Sequence, residues 1–96
     1  MAGQVWFKQG VVGELCREMR RAVGQLSSLY ATHGADLFIT SVQEGNHSAG
    51  SLHYDGRAID CRKGSVQLAE IKAAVGFGFD CISESDHFHI EWDPKD

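Results

Sequence analysis

The sequence predicts an α+β domain: a small, mainly antiparallel sheet with two helices packed on one of its faces. Three observations predict it. Apolar residues recur every three or four positions from Val12 to Tyr30, the period of one helix face. Apolar and polar residues alternate strictly from His87 to Trp92, the period of a half-buried strand. The strand-like segments Phe79–Ser83 and His87–Trp92 are separated by only a short polar stretch, close enough to pair antiparallel without a crossover. The 96 residues are read as one domain, residues 1–96. A chain of this size buries only about 60% of the surface that its unfolded form exposes, and small folds often add a metal or a disulfide.

The first helix carries Val12, Leu15, Met19, Val23, Leu26 and Tyr30 on its apolar face, with Glu14, Glu18 and Gln25 elsewhere. Arg17, Arg20 and Arg21 read as a solvated helix edge. Gly34 marks the stop, and His33 falls in the last turn, where a cation suits the helix dipole. Asp36–Val42 is rich in β-branched and aromatic residues and reads as a strand. Gln43–Gly50 has the small, polar composition of a loop. Arg57–Cys61 is a short strand, followed by a turn through Lys63-Gly64-Ser65. The second helix is expected over Val66–Val75, capped by Ser65, with Leu68, Ile71 and Val75 on one side; Gly76 and Gly78 end it. Ser83-Glu84-Ser85-Asp86 then joins the last two strands.

Composition excludes several classes of function. Hydrophobic residues at 43% and charged residues at 23% fit a globular domain and argue against disorder. A net charge of −4 argues against a nucleic-acid partner, because phosphate binding relies on clustered Lys and Arg. No apolar run approaches the ~20 residues that span a bilayer, so no membrane partner is expected. Met1–Lys8 lacks a basic segment followed by a long apolar one, and no secretory signal is expected. Three cysteines without a CxxC pair read as free thiols in a reducing compartment. Cys61 and Cys81 would bridge only if their strands were neighbours.

The chemistry concentrates in the second half. Strand geometry puts His87, His89 and Glu91 on one face of the last strand and Phe88, Ile90 and Trp92 on the other. The apolar trio belongs to the core, so the imidazoles stand on the open face. Upstream, His53 and Asp60 are both standard ligands for a metal such as zinc. Fully extended, they would lie about 23 Å apart, but Asp55-Gly56 supplies a turn that can bring them together. Asp60 shares its parity with Ala58, whose small side chain leaves space beside it. Three protein ligands (His53, Asp60 and one histidine of the last strand) leave a position open, the composition of a catalytic zinc site. The metal site is thus expected on the face opposite the helices.

Ser51-x-His53-x-x-Gly56-x-Ala58-x-Asp60 followed by His87-x-His89 resembles the zinc peptidases that cleave bacterial cell-wall peptides. These are the D-alanyl-D-alanine carboxypeptidases and the phage L-alanyl-D-glutamate endopeptidases, whose fold and metal site are shared by the hedgehog signalling domain. The stretch from Gly45 to Asp60 is similar to hedgehog over its whole length. The resemblance implies Zn2+ held by His53, Asp60 and His89, and a peptidoglycan stem peptide as substrate. It implies an acidic general base three residues before the last ligand, at Asp86; hedgehog-like members place a glutamate further upstream, where Glu84 is nearest. His47 corresponds to a histidine at the hedgehog site, and His87 to the first of that family's His-x-His pair.

The chain also departs from the pattern. Many cell-wall members carry a substrate-contacting arginine where this chain has Ser41-Val42-Gln43-Glu44; Gln43 or His47 is left to donate a hydrogen bond instead. The mechanism implied is hydrolysis by water that zinc brings to a pKa of about 7. Asp86 or Glu84 takes the proton, and His87 or His47 helps with the oxyanion. Carboxypeptidase and endopeptidase both remain open, and the rival from another class is a non-enzymatic, hedgehog-like zinc module that binds a protein. Without a signal or a wall-binding repeat, the resemblance suits a phage-encoded or virion-borne lytic domain that is made in the cytoplasm and acts at the cell wall.

Overall fold

In the computed structural model, residues 3–8, 15–43 and 56–94 are described. Five strands and two helices follow in the order β1 (Val5–Phe7), α1 (Arg17–Thr32), β2 (Leu37–Gln43), β3 (Ala58–Arg62), α2 (Leu68–Val75), β4 (Phe79–Ser83) and β5 (His87–Trp92). The strands form one sheet in the order β1-β2-β3-β5-β4. The β2–β3, β3–β5 and β4–β5 pairs are antiparallel, and β1–β2 alone is parallel. The fold is α+β, as the sequence predicts. Among the described residues, no helix is long and apolar enough to cross a membrane.

The helices pack on the sheet because each presents an apolar stripe. Met19, Ala22, Leu26 and Tyr30 are the buried positions of α1, and Ile71 and Val75 those of α2. They join Leu37, Ile39, Ile59, Cys61, Cys81, Phe88 and Ile90 in one core cluster. Ala22, and not the larger Val23, lies at the centre of the α1 stripe; Val23 is only partly buried. The alternation in β5 is realised over its first four residues, with Phe88 and Ile90 buried and His87 and His89 half-buried on the opposite face; at its end Glu91 is buried and Trp92 only half-buried.

Several details differ from the sequence expectation. Strand β1 was not expected, since Val5-Trp6-Phe7 is too short to show a period. It is held by Asp36, whose carboxylate accepts hydrogen bonds from the Gln4 backbone (3.0 Å) and from Trp6 Nε1 (2.9 Å). The second helix begins two residues late, at Leu68. Its cap is not Ser65 but Gln67, in a reciprocal capping box with Glu70. Ser65 instead bonds His33 Nδ1 at 2.9 Å, while His33 Nε2 meets Glu70 at 2.9 Å, so the end of α1 is tied to the start of α2. The Cys61–Cys81 bridge is ruled out by strand order: β5 lies between β3 and β4. Two strand spacings separate the pair by about 10 Å, beyond disulfide reach. Both are free, buried thiols, pushed up to about 11 chiefly by burial, and neither has the thiolate character of a nucleophile.

Candidate metal centre

The open face is assembled by β3 and β5, which pair so that Asp60 stands directly opposite His89, Ala58 opposite Glu91 and Arg62 opposite His87. Side chains on one face of a strand recur every second residue, so Asp60, His87, His89 and Glu91 emerge together, away from the helices. Beside them β2 carries a bulge between Ile39 and Ser41, and Thr40 Oγ1 donates to the Asp60 carbonyl at 3.3 Å. The irregularity lets Ser41 pair with Asp60 while Ile39 stays in the core.

Imidazoles and carboxylates alternate across this face. His89 Nδ1 meets Asp60 Oδ1 at 2.7 Å, and His89 Nε2 meets Glu91 Oε1 at 3.3 Å. His87 Nε2 lies 3.8 Å from Asp60 Oδ2, and its Nδ1 meets Asp86 Oδ1 at 2.7 Å. Burial by itself would lower the His89 pKa, but the hydrogen bonds and charges of Asp60 and Glu91 together raise it above the usual histidine value. The hydrogen bond from His87 holds Asp86 below the usual carboxylate range. The side chains grade from Glu91, 11% exposed, and Asp60, 15%, to Asp86 at 85%, so the row runs from the protein interior to solvent.

Of the three expected metal ligands, Asp60 and His89 are adjacent. His53, and with it His47, lies outside the described residues. Among the described residues, no group of three His, Cys, Asp or Glu side chains is arranged to hold an ion. The two placed donors are nonetheless of the right kind. Zinc with bonds of about 2.0 Å in a tetrahedron holds two ligand atoms roughly 3.3 Å apart. Asp60 Oδ1 and His89 Nδ1 would therefore open by a fraction of an ångström and give up the proton between them.

Of the expected catalytic residues, Asp86 and His87 are brought together at the mouth of the β4–β5 turn. Glu84 is exposed, and its backbone N–H closes that turn on the His87 carbonyl at 2.8 Å. Sequence reasoning gave Glu91 a place on the face but no role. Its carboxylate fixes the far nitrogen of His89, the arrangement by which a carboxylate orients a metal-ligating imidazole. The i, i+2 spacing of His89 and Glu91 was the available signal. In comparisons with known proteins, the chain matched no family model, no curated protein and no solved structure.

Proposed function

We propose that the protein is a zinc-dependent peptidase acting on peptidoglycan stem peptides, with Asp60, His89 and His53 as metal ligands. The observation that supports the reading is the pairing of Asp60 with His89 across β3 and β5, which sets one expected ligand from each half of the motif side by side on the open face. When bound, zinc supplies Lewis acidity to the scissile carbonyl and makes water a nucleophile near neutral pH. The rest falls to the side chains. Asp86, ionised and linked to His87, takes the proton of the attacking water and passes it to the leaving amine. His87 donates a hydrogen bond to the oxygen that gains charge. Glu91 keeps the His89 ring in one orientation through Nε2.

The test is to incubate purified peptidoglycan with the protein, with and without a chelator, and to weigh the products from a defined muropeptide. Metal-dependent release of new amino termini is expected, and the mass lost tells carboxypeptidase from endopeptidase. A second reading, a hedgehog-like zinc module that binds a protein, is favoured by the lack of an arginine in Ser41-Val42-Gln43-Glu44. Intact wall material in the presence of tightly bound zinc would select it and exclude the peptidase.

A further inference from the structure

A cavity of about 380 Å³ opens where β2 begins and β3 ends, lined by Trp6, Tyr30, Asp36, Phe38 and Arg62. Its aromatic walls are held in place. Trp6 and Phe38 are register partners across β1 and β2, and the Trp6 indole is pinned by its hydrogen bond to Asp36. The Tyr30 hydroxyl is committed to the Arg62 carbonyl at 2.5 Å. Both Asp36 oxygens accept hydrogen bonds, one from Gln4 and one from Trp6, so this carboxylate is already satisfied. Arg62 differs. Its guanidinium lies over the Phe38 ring, 4.0 Å from the centroid, and the residue is exposed. Among the described residues, no carboxylate lies within ion-pairing distance of it.

The volume falls in the range of small-molecule sites, which pair apolar walls with a few placed polar groups. A planar guanidinium matches a carboxylate with two parallel hydrogen bonds. One cation beside a satisfied Asp36 does not suit a multivalent anion, and the rings suit a flat apolar body. We infer that this cavity binds a small aromatic carboxylate, its carboxylate paired with Arg62 and its ring against Trp6 and Phe38. The site shares no side chain with the proposed metal centre and does not rest on the peptidase reading.

The test uses N-acetylphenylalanine as the probe and its uncharged amide as the control. The reporter is the indole N–H resonance of Trp6, with that of Trp92 as the internal reference. A saturable shift of Trp6 but not of Trp92 is expected at millimolar acid. The amide should bind about tenfold more weakly, and Arg62→Gln should lose about as much for the acid. An unmoved Trp6 signal, equal binding of acid and amide, or full acid affinity in a folded Arg62→Gln protein would each overturn the inference. If Arg62→Gln failed to fold, judged by its Trp92 signal, the comparison of acid with amide in the unaltered protein would still decide it.

Discussion

Asp60 and His89 are 29 positions apart in the chain, yet stand opposite one another across β3 and β5 with Oδ1 and Nδ1 2.7 Å apart. The contact belongs to the backbone ladder as much as to the side chains, because their Cα atoms are direct register partners. Two donors placed in this way stand on adjacent interior strands of the sheet, where the position of one fixes that of the other.

Glu91→Gln tests whether the carboxylate behind His89 supports metal binding. The substitution keeps size and removes charge. Zinc affinity, measured by competition with a chromophoric chelator, is expected to fall about 10- to 100-fold, with the fold retained by circular dichroism. Unchanged affinity would mean that Glu91 only fills space beside Ala58.

Asp86→Ala is expected to keep zinc and lose peptide release, by about 100-fold or more if Asp86 is the general base. Glu84→Ala should leave turnover near that of the parent. The reverse result, measured on the same muropeptide, would move the base to Glu84. Because Asp86 is 85% exposed, neither substitution should change the denaturation midpoint appreciably.

Gly78→Ala probes the packing around Trp92. Gly78 has φ +93°, and a Cβ there would overlap the Trp92 ring, which itself packs on Phe79 with centroids 4.9 Å apart. Strained backbone and a displaced indole together should cost about 1–3 kcal/mol in urea unfolding. A variant as stable as the parent would contradict this placement of Trp92.

Glu70 links stability to acid pH. The Gln67 backbone N–H and then the His33 ring hold its carboxyl below the ordinary value of 4.5. The unfolded chain therefore takes up the proton first as pH falls. The stabilisation is complete above about pH 4.5 and disappears as pH drops through the folded-state value. Denaturant titrations of the parent and Glu70→Gln should differ at neutral pH and converge in acid. A difference that stays constant down to acid pH would show that the pair contributes packing and not charge.

The sequence made β5 legible because six alternating residues, His87 to Trp92, decide their own faces. Asp60 was placed by the same parity. Where sequence reasoning failed, the missing information was non-local. Val5-Trp6-Phe7 is too short to carry a period, and its partner is recognised only through Asp36. The bulge at Thr40 is invisible in a run that reads as continuous strand. A Cys61–Cys81 bridge looked open because nothing local says that β5 inserts between β3 and β4. Ser65 and Gln67 are both plausible caps, and only the bond from His33 shows why Ser65 is occupied elsewhere. His47 and His53 fall outside the described residues, so that half of the proposed centre still stands on spacing and resemblance.

Strand β5 has one further consequence. Sliding it one residue along β3 would drive both imidazoles into the oily interior and turn Phe88 and Ile90 out to water. Each of those two apolar side chains resists exposure by about 1.5–3 kcal/mol. Grease on one side of the ribbon thus keeps the chemistry on the other side aligned. The register of the polar row therefore depends on Phe88 and Ile90, two side chains that never touch it.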